Sequence, residues 1–125
     1  MTEEQIGHAL IGAALKVHSA VGPGLLESAY ETCLLYELEK RNLPVRRQVM
    51  IPFRYEALTI DNGYRIDLLI GDLVVVELKA LETILPVHRA QLLSYLRLGS
   101  FKLGYLLNFN VAHMREGIVR IVNGL

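Results

Sequence analysis

The stretch from Tyr64 to Lys79 constrains the fold most. Tyr64–Ile70 alternates apolar and polar residues, and a second apolar run, Leu73–Lys79, follows after Gly71-Asp72. Alternation with a period of two belongs to strands, because successive side chains of an extended chain point to opposite sides. Tyr64, Ile66, Leu68 and Ile70 are expected on one face, with Arg65, Asp67 and Leu69 on the other. In the second strand Val74, Val76 and Leu78 share a face, and Val75, Glu77 and Lys79 share the opposite one. Where Asp67 stands depends on register. A two-residue turn at Gly71-Asp72 sets it opposite Val76 and turns it away from Glu77. A three-residue connection, Gly71 to Leu73, or a bulge sets it opposite Glu77. The three-residue form also stacks the apolar faces, so that form or a bulge is predicted.

Helices are predicted ahead of this hairpin. Ile6, Leu10, Ala13, Ala14 and Val17 recur at helical spacing within residues 3–20, and Thr2 with Gln5 forms a capping box. Gly22-Pro23-Gly24 breaks the chain. A second helix is expected over residues 25–41, with an apolar stripe of Leu26, Tyr30, Cys33, Leu34 and Leu38, and Asn42 and Pro44 end it. Val45 to Tyr55 favours strand, with Pro52 marking an edge or a bulge. Asp61-Asn62-Gly63 signals a turn. Pro86 opens a helix reaching Leu98, with Gly99 as its cap. Lys102–Asn108 and Gly117–Val122 read as the last strands. The order is helix, helix, three strands, helix, strand, strand, and residues 1–125 read as a single domain.

Composition excludes several classes. No window approaches the roughly 18 uninterrupted apolar residues of a membrane span, and MTEEQIGHAL lacks the basic start of a secretory signal, so a cytoplasmic protein is expected. Thirteen basic residues balance thirteen acidic ones, which argues against gripping nucleic acid by bulk charge alone and leaves a local basic groove open. The densest basic cluster, Lys40, Arg41, Arg46 and Arg47, reads as a solvated helix end and strand start. Cys33 is the only cysteine, so an intrachain disulfide and a cysteine-rich zinc site are both impossible.

The chemistry concentrates in the hairpin. Two carboxylates at close range repel unless a cation or a proton lies between them. Carboxylate oxygens suit Mg²⁺ or Mn²⁺, and a metal held there assists phosphodiester hydrolysis. Lys79 beside them can position water or stabilise charge on the phosphate. A lone Glu-x-Lys in a strand is usually a surface ion pair worth little; Asp67 on the adjoining strand balances the two readings. Glu27 falls at the margin of the second helix's stripe, where a first-turn acid also favours the helix dipole. Gln91 and Tyr95 are four apart and share a helix face, with His88 one turn before; from the helix alone an ordinary amphipathic edge is the preferred reading. His18 precedes the Gly-Pro-Gly break and could approach the cleft, but a buried, hydrogen-bonded histidine is the preferred reading.

Together these residues resemble a known family. Gly24, Glu27 and Tyr30 spell the G-x-x-E-x-x-Y signature of the GxxExxY proteins. Val17-His18, Gly22-Pro23-Gly24-Leu25-Leu26-Glu27, Asp67, Glu77-Leu78-Lys79, Gln91 to Tyr95 and Leu107-Asn108-Phe109 look like that family too, in order along nearly the whole chain. The family is placed in the PD-(D/E)xK nuclease-like superfamily. The resemblance implies an α/β, restriction-endonuclease-like core with a mixed central sheet flanked by helices. It implies one acidic, metal-binding site lined by Glu27, Asp67 and Glu77 with Lys79 beside them, completed by the backbone carbonyl of Leu78. Gln91 and Tyr95 look like the Q-x-x-x-Y helix motif of the RecB-like and Cas4-like branch, where a histidine before the acids can also bind metal; His18 is the candidate.

The leading expectation is therefore a Mg²⁺- or Mn²⁺-dependent nuclease acting on nucleic acid, with DNA placed first. Fold alone does not settle this. The competing expectations are a non-catalytic module that binds nucleic acid or protein through a nuclease fold, and a subunit that needs a homodimer or a larger assembly to cover DNA.

Overall fold

The computed structural model describes residues 1–125. Helix α1 (Glu3–Val21) starts as expected: the Thr2 side chain accepts from Gln5 N, and Gln5 Oε1 accepts from Thr2 N. Helix α2 (Glu27–Lys40) follows the glycine break. Five strands come next, β1 (Val45–Tyr55), β2 (Leu58–Ile70), β3 (Val74–Lys79), β4 (Leu103–Asn108) and β5 (Ile118–Val122), with helix α3 (Pro86–Gly99) between β3 and β4. The sheet runs β1-β2-β3-β4-β5, antiparallel except for the parallel β3–β4 pair that the α3 crossover allows. The result is the mixed sheet flanked by helices that the resemblance implied.

Two apolar layers hold it. Ile6, Leu10, Tyr30, Leu34 and Leu38 of α1 and α2 pack on Leu68, Ile70, Val74, Val76 and Leu107. Leu92 and Leu96 of α3 pack on the opposite face, against Tyr64, Ile66, Leu69, Val75 and Leu106. Burial on both faces is why β3 and β4 read as nearly continuous apolar runs. No helix is long and apolar enough to cross a membrane.

Several sequence expectations need correction. Tyr64 and Ile66 do not share a face with Leu68 and Ile70; they belong to the α3 layer, and the latter two to the α1–α2 layer. The break falls at Asp67. On β1, Gln48 lies between the partners Arg47–Leu68 and Val49–Ile66 with φ at 52°, a left-handed conformation that locally redirects the strand. Asp61-Asn62-Gly63 is not the hairpin turn. The turn is Glu56-Ala57, between the partners Tyr55 and Leu58. The Asp-Asn-Gly segment instead lies within β2, where the register shifts opposite Pro52, a residue with no N–H to donate. A Cβ on Gly63 would collide with the Phe53 ring, so the glycine serves a close approach. Gly99 is the last residue of α3, and the left-handed cap is Ser100. Leu26 is the N-cap of α2 and 76% exposed, so the buried stripe of that helix begins at Tyr30.

Leu34→Ala is expected to cost about 2–5 kcal/mol, because it opens a cavity in the α1–α2 layer. Leu26→Ala is expected to change stability by no more than about 0.5 kcal/mol. Urea unfolding of the two variants checks the corrected stripe.

Candidate active site

The connection from β2 to β3 is three residues, Gly71 to Leu73, and both Gly71 and Asp72 have positive φ. The partners Ile70–Val74, Leu69–Val75 and Leu68–Val76 follow from it. Continued by one residue, this register puts Asp67 opposite Glu77, the arrangement predicted from the sequence. The ladder stops there and side chains take over its amides. Glu77 Oε1 accepts from the Asp67 N–H at 3.2 Å, and Asp67 Oδ2 accepts from the Leu78 N–H at 2.8 Å.

This holds the two carboxylates together, Asp67 half-buried at the cleft and Glu77 shielded from water. Glu77 is only 7% exposed. Burial first, and the Asp67 carboxylate second, push the Glu77 carboxyl up to about 8; the Asp67 N–H and Lys79 oppose them. Lys79 makes no direct ion pair, yet it lowers the carboxyls of both Glu77 and Glu27. Its charge is therefore shared across the cleft rather than spent on one acid.

Glu27 faces this pair from the first turn of α2. A cleft of about 210 Å³ is lined by Glu27, Ser28, Glu31, Gln48, Arg65, Asp67 and Leu78. Partial burial raises the Glu27 carboxyl, Lys79 pulls it down, and Asp67 and Glu31 raise it. The start of α2 is set by Tyr30, whose hydroxyl donates to Gly22 O at 2.6 Å and accepts from Leu25 N at 3.1 Å while its ring stacks on Phe109. The glycine loop before Glu27 is thus tied to the helix that carries it.

From α3, Tyr95 comes near enough to feel the charge of the acids without a hydrogen bond to them. Its ring stacks on Tyr64 at 4.3 Å between centroids, and its phenol is raised by burial first and then by Glu77 and Asp67. Gln91 is exposed one turn earlier and makes no hydrogen bond to the acids. The structure does not bring His18 to the site. Its Nε2 bonds the Val111 carbonyl at 2.8 Å, and it lines a different cleft with His113 and Met114. The reading of His18 as a buried, hydrogen-bonded side chain describes this position.

Sequence reasoning did not single out three contributors. Glu31 is buried beside the cleft, where its carboxylate accepts from Arg47 Nη2 at 3.0 Å and Gln48 Nε2 at 2.6 Å. Its position four residues after Glu27, on the same helix face, was the available signal. Arg65 lies two residues before Asp67, on the same predicted face. Asn108 is 2% exposed and grips the loop after β3: its Oδ1 accepts from Leu81 N at 3.0 Å and its Nδ2 donates to Leu81 O at 2.9 Å. Its only sequence trace was Leu107-Asn108-Phe109 in the family resemblance.

The donors suit a hard divalent cation. Asp67 and Glu77 offer two carboxylates whose repulsion such an ion would relieve, and Mg²⁺ usually takes one or two carboxylates with water in its remaining positions. In this arrangement no three acidic, histidine or cysteine side chains converge to enclose an ion, so Glu27 stands apart from the pair.

A family model for the PD-(D/E)XK nuclease superfamily matches residues 4–121. No curated protein and no solved structure matches the chain.

The raised Glu77 carboxyl sets a pH dependence for the metal-free protein. A carboxyl lifted from 4.5 to about 8 by folding favours the protonated state. That contribution to stability is complete below about pH 4.5 and is lost as the pH rises through about 8, by up to about 1.4 kcal/mol for each pKa unit. Thermal melting in a chelator should therefore show Tm falling over this window, and Glu77→Gln should flatten the fall.

Proposed function

Since the chain belongs to the PD-(D/E)XK nuclease superfamily, we propose that it hydrolyses phosphodiester bonds of nucleic acid, DNA foremost, with Mg²⁺ or Mn²⁺ as its ion. Nucleases of this superfamily generally use divalent metal ions. The observation that carries the reading is the Asp67–Glu77 pair, held by main-chain amides at the end of a ladder with Lys79 beside it.

Asp67 and Glu77 would hold the ion, with the main-chain oxygen of Leu78 as a further donor. Bound there, a divalent ion supplies Lewis-acid stabilisation of charge building on the phosphoryl oxygens. The chain's own groups act around it. Lys79 presents an unpaired ammonium to the same oxygens and orients the attacking water. Glu27 closes the cleft from α2 and keeps its acidic side continuous. Tyr95 supplies a phenol hydroxyl at the edge of the pair, with its ring immobilised on Tyr64. Gln91, one turn away on α3, faces solvent where a bound strand would pass. The finer assignment to the GxxExxY family rests on Gly24, Glu27 and Tyr30, and the bonds from Tyr30 to Gly22 and Leu25 give that signature a physical purpose.

A second reading, a non-catalytic module on a nuclease fold, is favoured by the separation of Glu27 from the pair. Calorimetric titration of Mg²⁺ and Mn²⁺, run with cleavage assays on single-stranded, duplex and branched DNA, separates the two. Asp67→Asn with Glu77→Gln should abolish both ion binding and cleavage. Lys79→Ala should keep ion binding and lower cleavage by about 100- to 1,000-fold, the usual effect of removing one preorganised charge-stabilising donor. Nucleic-acid binding without ion binding or turnover by the unsubstituted protein would instead establish the module.

A further inference from the structure

The chain is neutral overall, yet its cations are unevenly committed. Lys16, Lys40 and Arg41 surround Glu37, Arg46 pairs with Asp72, Arg47 with Glu31 and Arg120 with Glu4. Each cation of the basic cluster most conspicuous in the sequence is thereby engaged with an acid. Arg54, Arg65, Arg89, Arg97 and Arg115 make no such pair, and of these Arg54 and Arg65 lie on the β1–β2 hairpin.

Both arginines stand on one side of the β1–β2 hairpin. Val49, Ile51 and Phe53 all pack toward the α3 layer, so β1 alternates without interruption through this stretch and Met50, Pro52 and Arg54 face the other way. Arg65 is the partner of Met50, and Thr59 the partner of Arg54, so they share that side. Arg65 also lines the acidic cleft. The hairpin extends well past the residues of β2 that pair with β3, which begin at Leu68. Its side facing away from α3 therefore runs from the cleft mouth at Arg65 outward to Arg54. Four residues separate Met50 from Arg54, about 13 Å at strand rise. That is the rise of about four nucleotides in one strand of a duplex.

We propose that this hairpin is a nucleic-acid-binding arm, with Arg65 and Arg54 contacting phosphates about four nucleotides apart on a strand that leaves the acidic cleft. The inference rests on the nuclease reading and adds to it the surface that holds the substrate. Two unpaired guanidiniums on an exposed strand face suit a polyanion and offer nothing to an acid-poor partner. The contacts are to the backbone, so the arm grips without regard to sequence.

The test is fluorescence anisotropy of labelled single-stranded and duplex DNA of two unrelated sequences across a salt series. The full chain carries Asp67→Asn and Glu77→Gln, so that substrate is not consumed and the acids do not repel it. Arg54→Ala and Arg65→Ala are each added to that background. Lys102→Ala is the control, since Lys102 is an exposed, unpaired cation just before β4, at the opposite end of the strands from the acids. Each arginine substitution should weaken both sequences alike and lower the salt slope of log affinity by about 0.7 on single strands and about 0.9 on duplex. Arg54→Lys should keep the slope, and Lys102→Ala should leave both quantities unchanged. Arginine variants that behave like the Lys102 control, while the unsubstituted protein cleaves, would overturn the arm alone. No binding by the doubly substituted chain, together with no cleavage by the unsubstituted protein, would overturn the arm and the nuclease reading together.

Discussion

Two side-chain-to-main-chain bonds at the end of the β2–β3 ladder organise the cleft: Asp67 N to Glu77 Oε1 and Leu78 N to Asp67 Oδ2. Where the strands part, their amides would otherwise lie buried without partners, which is costly. The two carboxylates satisfy them and are locked close together as a result. Like charges are thus held by the backbone against their own repulsion. Burial and the neighbouring Asp67 lift the Glu77 carboxyl, and the pair is left in need of a proton or a cation.

The surroundings keep the pair in register with the helices. Glu31 reaches from α2 to Arg47 and Gln48 of β1, next to the position where Gln48 turns left-handed and Asp67 leaves the ladder. That bridge fixes the distance between Glu27 and Asp67 across the cleft. On the other side Asn108, level with Lys79 in the parallel ladder, fastens the loop after β3 and so the end of the strand that carries the lysine. Tyr30 restrains the entry to α2 and Tyr64 restrains Tyr95. Each group facing the cleft is backed by a buried contact one layer behind it, which is how a site keeps its geometry.

Electrostatics divide the surface by function. Cations near α2 and the start of β1 are engaged by Glu31, Glu37 and Asp72, with Glu37 shared among three of them. The hairpin beyond the central sheet keeps its arginines free. A neutral total charge is therefore compatible with unpaired cations set on one strand face, since the field a polyanion meets depends on where the charges stand.

Local pattern alone located the helices, the strands and the three-residue β2–β3 connection, because periodicity, caps and turn residues act over a few neighbours. The same pattern made Asp67 and Glu77 opposite partners, since register along one hairpin is a local matter. It failed where partners distant in sequence decide. The face change at Asp67 needs Gln48 of the neighbouring strand, and the Asp61-Asn62-Gly63 bulge answers to Pro52 across the ladder. His18 carries no mark of its bond to Val111, nor Glu31 of its bonds to β1. The sequence by itself determined which acids and which lysine share a strand pair. Only the tertiary structure decided that Glu27 stays across the cleft, that His18 lies elsewhere and which arginines remain unpaired, because these depend on elements meeting through space.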